Sequence, residues 1–277
     1  MAGKKKDTSL LHHLIGSRSL VWNLAKNDIK KKFAGSYFGV VWAFVQPVIT
    51  VLLYWFVFVK GLNSKATDLR TGIEIPFVLW LTAGLVPWFY FQEALNGGTG
   101  VLVEYSYLVK KVVFQIDMLP VVKMISALFT HLFFVAFTIV LFICMGYMPD
   151  WYALQVVYYS FCMILFATGL VYATSAVTVF FRDMKEVVGI LLQIGMWVTP
   201  IMWNFETMVQ IPGWAIAVLK LNPMYYIVSG YRNALINHIG FWEDMGITVY
   251  FWVVTAVILF LGTTVFKRLR PHFADVL

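Results

Sequence analysis

From Phe33 to Val59 the chain runs 27 residues without a charged side chain, and four further uncharged runs of 19 or more residues follow. A helix rises ~1.5 Å per residue, so about 20 such residues cross a ~30 Å hydrocarbon layer. These runs predict an all-α membrane protein. Composition agrees, with 61% hydrophobic and 18% aromatic residues and only 13% charged, against roughly 25% charged in a soluble domain. Cys144 and Cys162 both fall in apolar runs, where a thiol packs as a small hydrophobe, so neither a disulfide nor a metal cluster is expected. Lys4, Lys5 and Lys6 precede His12, His13 and Arg18 instead of an apolar signal core, which predicts a retained N-terminus.

Six spans are expected: Phe38–Val59, Ile75–Gln92, Met124–Met148, Trp151–Phe181, Val187–Asn204 and Met245–Phe266. Glu93 cuts the second short, and Pro200 is expected to kink or end the fifth. The fourth, 31 residues long, would reach roughly 46 Å as a helix and so should protrude into the cytoplasm. With both termini inside, 16 of the 21 Lys and Arg residues face the cytoplasm, in the direction of the positive-inside rule. The net charge of +7 then reads as topology and attraction to anionic lipid, without nucleic-acid binding. Residues 1–36 form a cytoplasmic N-terminus and 37–277 the membrane domain of a multi-pass protein.

Three segments depart from simple spans. Val21, Ala25, Ile29 and Phe33 recur at i+4, opposed by Asn23, Lys26, Asn27, Lys30 and Lys31, which predicts an amphipathic helix in the cytoplasmic interface. Ala34-Gly35-Ser36 offers the turn into the first span. Between spans two and three, Asn96-Gly97-Gly98-Thr99-Gly100 should break the helix, and a short one restarts, with Glu104, Lys110 and Lys111 available to a soluble partner. Before the last span, Ile211-Pro212-Gly213 and Leu221-Asn222-Pro223 separate two apolar stretches too short to cross. They read as re-entrant outer helices, backbone that persists at membrane depth only where protein buries it or a water-filled cavity borders it.

No Gly-x-x-x-x-Gly-Lys-Ser/Thr, His-Glu-x-x-His or Gly-x-Ser-x-Gly sequence is present, so the chain has no phosphate-binding loop or hydrolase site of its own. His131 in span three and Glu93 beyond span two are the ionisable groups nearest the bilayer, functional candidates by position. The competing reading makes His131 a neutral hydrogen-bonded group and Glu93 an interfacial one. Tyr37, Phe38, Trp42 and Trp203 are aromatic faces along which a polymer could slide, or headgroup-level anchors.

Leu24-Ala25-Lys26-Asn27-Asp28-Ile29-Lys30, running on through Gly35-Ser36-Tyr37-Phe38-Gly39-Val40-Val41-Trp42-Ala43-Phe44-Val45-Gln46-Pro47, resembles the signature of ABC-type polysaccharide exporter permeases. Leu108-Val109-Lys110-Lys111-Val112-Val113-Phe114 with Leu119-Pro120 is similar to that family's coupling segment, and Phe181-Arg182-Asp183 to its next cytoplasmic turn. Leu221-Asn222-Pro223-Met224 and Gly230-Tyr231-Arg232 are similar to its outer region. Gln115 departs from it, standing where many members carry Pro. The resemblance implies a homodimer in a bacterial cytoplasmic membrane, paired with two copies of a separate ATPase subunit that holds ATP and Mg. The implied cargo is a lipid-linked polymer, with the wall teichoic acid exporters the most similar group and O-antigen or capsule exporters the alternative. On this reading Glu104, Lys110, Lys111, Arg182 and Asp183 meet the ATPase, while Phe33, Tyr37, Phe38, Trp42, Gln46 and Trp203 form the gate and path. A membrane-embedded transferase acting on a polyprenyl-linked sugar is the rival class, and a channel a weaker one. The first lacks clustered acids and bases, the second a repeated filter.

Overall fold

The computed structural model describes residues 18–32, 34–110, 115–203 and 212–277. Its helices are α1 (Arg18–Lys32), α2 (Trp42–Trp55), α3 (Phe77–Thr99), α4 (Val101–Glu104), α5 (Ser106–Val109) and α6 (Met118–Cys144). They continue as α7 (Gln155–Phe180), α8 (Met184–Val198), α9 (Gly213–Lys220), α10 (Pro223–Arg232), α11 (Met245–Leu269) and α12 (Phe273–Val276). A short antiparallel hairpin, Ala66–Thr67 with Glu74–Ile75, links α2 to α3.

Four helical stretches are long and apolar enough to cross a bilayer: Trp42–Gly61, Met118–Cys144, Trp151–Phe180 and Met245–Val276. They coincide with the first, third, fourth and sixth expected spans. The second and fifth are helical but differ in kind. At 23 residues α3 is long enough, yet it carries Gln92, Glu93 and Asn96 near its end; α8 has 15 residues, only ~22 Å. Thr199 is extended and ends α8 just before Pro200, as expected from the clash between a proline ring and a preceding helical residue.

The helix break expected within Asn96-Gly97-Gly98-Thr99-Gly100 falls at its last glycine, Gly100, and a short helix restarts at Val101. Before it, α3 runs through Gly97 and Gly98 to Thr99. Gly98 is buried where any Cβ would strike the Val171 side chain of α7, so this glycine serves close helix packing. The same device joins α7 to α11. A Cβ on Gly169 would lie 2.8 Å from the Leu259 nitrogen, and one on Gly262 would strike the Gly169 carbonyl, so small residues let these two backbones approach.

The interfacial helix is also shifted from its expected face. Val21 and Ala25 are buried, but the third buried position is Asp28, and Ile29 is only half-buried. The reason is that α1 lies on protein: Val21 and Ala25 pack against Met118 and Val122 of α6. Phe33 lies outside the described residues. Gly35 and Gly39 follow with φ of +81° and +54°, left-handed values that glycine adopts without penalty, and the chain turns there into α2.

The core centres on α3, wrapped by α6, α7, α8 and α10. A second cluster lies at the cytoplasmic end by the expected orientation. There Val101, Leu102, Tyr105 and Val109 meet Tyr172, Ala176 and Val179 of α7, with Phe266 and Phe273 closing the layer. Arg270 Nη1 to Asp117 Oδ2, 2.7 Å, pins the end of α11 to the start of α6. The two short helices expected before the last span are present. Of these, α9 buries no residue, whereas α10 is inserted against α3, α7 and α11.

Candidate gate and coupling site

The turn out of α1 displays three rings in sequence. Tyr37 and Phe38 meet edge to face with centroids 5.3 Å apart, and Phe38 meets Trp42 the same way at 5.8 Å. All three are exposed, Tyr37 at 98%. Trp203 is not brought to this cluster. Its indole N–H donates to the Trp197 carbonyl at 2.9 Å, just beyond the residues that bind Arg232.

Arg232, one of the five Lys and Arg residues that the expected orientation leaves on the outer side, is buried in the structure. Its Nε donates to the Trp80 carbonyl at 3.3 Å, Nη1 to that of Pro200 at 2.6 Å and Nη2 to that of Ile201 at 2.7 Å. The guanidinium lies 3.3 Å from the Trp80 ring centroid, and a Cβ on Gly84 would sit 2.6 Å from Nη2. The orphan carbonyls past the end of α8 thus receive a charged fork. That fork ties α10 to α3 and to the unwound Pro200-Ile201 corner.

At the opposite end, charged pairs tie α1 to three elements. Lys123 Nζ of α6 lies 2.6 Å from Asp28 Oδ1 and 2.9 Å from Glu104 Oε2. Lys31 reaches Glu104 at 3.2 Å and Lys32 reaches Glu93 at 2.6 Å. The Tyr105 hydroxyl donates to Asp28 at 2.8 Å; burial and then that carboxylate push its pKa above the usual tyrosine value. Asp28 and Lys123 are nearly enclosed, with side chains 7% and 12% exposed. Asp28, Tyr105 and Lys123 were not singled out from sequence. The only local signal was a carboxylate interrupting a basic helix.

The expected ATPase-contact residues are divided by this arrangement. Glu104, though exposed, is engaged by Lys31 and Lys123, whereas Lys110, Arg182 and Asp183 are exposed on neighbouring segments. Lys111 lies outside the described residues. Packing of Val109 and Val179 in one cluster brings the α4–α5 segment alongside the end of α7 that leads into Arg182-Asp183. Glu93 joins the ionic group. His131 is buried apart from this group, its Nε2 within 3.2 Å of Ser160 Oγ and 3.1 Å of the Tyr231 hydroxyl.

Between α1, α2, α3 and α6 lies a cavity of about 740 Å³. Gln46, the polar member of the expected path, lines it, together with Glu93, Glu104 and Lys123. No group of three or more His, Cys, Asp or Glu side chains suited to a metal occurs among the described residues.

Comparison with known proteins agrees with these observations. The chain is 25% identical over 266 residues to the O-antigen export system permease protein RfbA of Myxococcus xanthus, covering 96% of this chain and 98% of that protein. A protein of the same name from Klebsiella pneumoniae is 21% identical, covering 92% and 93%. The polysialic acid transport protein KpsM of Escherichia coli is 23% identical, covering 87% and 89%. The family described as ABC-2 type transporter matches residues 19–236, and the chain therefore belongs to that family.

Proposed function

We propose that this chain is the membrane subunit of an ATP-driven exporter that moves a lipid-linked polysaccharide from the cytoplasmic to the outer side of a bacterial cytoplasmic membrane. The observation that carries the reading is near full-length similarity to export permeases named for O-antigen and polysialic acid. With no phosphate-binding loop in the sequence, ATP and Mg would be held by a separate ATPase subunit. Two copies of that subunit would act on a homodimer of this chain, both termini facing the cytoplasm. Lys110, Arg182 and Asp183, exposed on adjoining segments, would dock it, with Lys111 beside them.

Helix α1 and the start of the first span would work as the gate. Tyr37, Phe38 and Trp42 sit at a glycine hinge with open surroundings, and α1 is held by ion pairs to the α4–α5 segment that adjoins the docking site. Movement of that segment would then reach the rings through α1. The short helices α9 and α10 would re-enter the outer leaflet, with Arg232 holding their inner end.

The relatives favour an O-antigen or capsule-type glycan as the polymer. Wall teichoic acid is the second reading, resting on the overall resemblance of the sequence to that group of exporters. Depleting the chain in its native cell and fractionating the polymer tests both. Export predicts loss of surface polymer with accumulation of carrier-linked polymer inside; a sugar repeat or a polyol-phosphate repeat in that material decides between the readings. Unchanged surface polymer after depletion overturns the proposal.

A further inference from the structure

Around the 740 Å³ cavity, three helices present ladders of uncharged polar side chains: Gln46 from α2, Gln92 and Asn96 from α3, and Ser126 and Thr130 from α6. Within α3 and α6 the pairs are four residues apart, so they stack on one helix face. Polar side chains on membrane helices ordinarily hydrogen-bond across to a neighbour. These five do not, for no side-chain hydrogen bond from any of them to a described residue exists. Amides and hydroxyls, each able to donate and accept, therefore face open space.

The charges at the rim narrow the ligand. Lys31, Lys32 and Lys123 are each within 3.2 Å of a carboxylate from Glu104, Glu93 or Asp28. Lys185 adds one further cation at the mouth, too little to make the cavity an anion sink. Phe89 supplies an aromatic surface in the wall. A ligand with many hydroxyls, no high charge density and an apolar C–H face matches these groups, and that description is a saccharide. The volume falls within the ~300–1,000 Å³ of small-ligand sites, room for a few sugar rings.

We propose that the cavity between α1, α2, α3 and α6 is a saccharide-binding vestibule within a single chain, in which Gln46, Gln92, Asn96, Ser126 and Thr130 hold successive sugars of the polymer before translocation. The inference rests on the export reading and gives it a binding site. Because α1 forms one wall and is held there by Lys123, the vestibule opens and closes with the interfacial helix.

The test is photocrosslinking in living cells that also carry the ATPase subunit, with p-benzoylphenylalanine placed at Gln92 or Thr130. The control position is Leu132, exposed at 58% and two residues along the same helix. Adducts are detected by periodate oxidation and biotin hydrazide, which marks vicinal diols of the cell's own polymer. The expected result is a polymer-sized, heterogeneous adduct at Gln92 and Thr130, at least tenfold above Leu132. If bulky probes there prevent assembly, Gln92→Cys labelled with a benzophenone maleimide repeats the measurement. Polymer reaching the surface normally with no adduct at either position overturns the vestibule, as does equal labelling at Leu132 or an adduct of single-lipid mass. Normal surface polymer in cells lacking the chain would instead refute the export reading, and the vestibule with it. As an independent measure, Gln92→Leu with Thr130→Val should lower surface polymer at least fivefold at unchanged assembly; wild-type export by that variant also contradicts the proposal.

Discussion

Replacing Lys123 by Met should release α1 from the body of the protein without unfolding it. Lys123 Nζ is 2.6 Å from Asp28, whose side chain is only 7% exposed, and the substitution strands that carboxylate with the Tyr105 hydroxyl as its remaining hydrogen bond. Breaking a buried pair by removing one partner costs about 3–5 kcal/mol. The more exposed Glu104 contact, 38% accessible, adds no more than about 1 kcal/mol. Part of the stranded charge will be relieved as α1 lifts and Asp28 meets water, so a net weakening of about 3 kcal/mol is the working figure. At 1.4 kcal/mol per tenfold, amide exchange across Arg18–Lys32 should accelerate roughly 100-fold in the purified protein, with α7 and α11 unchanged. Asp28→Asn in the same background removes the stranded charge and should restore most of the protection, leaving a coupling energy of about 2 kcal/mol in the double-mutant cycle. Equal exchange in wild type and Lys123→Met, or a double variant no better than the single one, would refute the reasoning.

Other consequences follow from the same contacts. Arg232→Met leaves the Pro200 and Ile201 carbonyls unpaired and should cost about 3 kcal/mol in thermal or denaturant unfolding. Arg232→Lys should recover less than half of that, because an ammonium cannot reproduce the planar fork. Gly262→Val puts a side chain into the Gly169 backbone and should destabilise the α7–α11 pair by about 3 kcal/mol or abolish expression, read as yield and melting temperature. Charge reversal at Lys110 and Lys111 should weaken co-purification with the ATPase subunit several-fold, while the permease alone melts as wild type. In the hairpin between α2 and α3, burial raises the Asp68 carboxyl pKa, but hydrogen bonds from the Thr71 side chain and the Arg70 and Thr71 amides outweigh it and leave the pKa lowered. A lowered folded pKa means the stabilisation is complete above the unfolded value of ~3.9 and is lost as pH falls through it to the folded value. Hairpin exchange corrected for intrinsic rate should therefore rise only in that acid window, and Asp68→Asn should erase the dependence.

Four of the six expected spans were legible because a lipid core imposes a length and a polarity that a run such as Phe33 to Val59 satisfies by itself. The turn at Gly35 and Gly39 was legible for a similar local reason, and both residues carry positive φ. What could not be read was pairing across distance. Asp28 and Lys123 are 95 positions apart, and nothing in either local pattern marks one as the other's partner. Arg232 read as a loop cation because sequence counts charges by segment, whereas burial depends on carbonyls supplied from Trp80 and Ile201. Gly97 and Gly98 looked like a break because helix propensity is low at glycine; close packing of Gly98 on Val171 overrides it. Gln46 was named from sequence and lines the cavity, but the ladder on α3 and α6 was not legible, because Gln92, Asn96, Ser126 and Thr130 converge only once both helices are packed.

Transport measured in inverted membrane vesicles tests the central claim most directly. Vesicles carrying the chain and its ATPase subunit would be given ATP and carrier-linked polymer on the exposed cytoplasmic face. Export predicts that polymer becomes resistant to periodate added outside, and that resistance vanishes without ATP, without this chain, or with an ATPase unable to hydrolyse. Equal protection in vesicles lacking the chain would contradict the account.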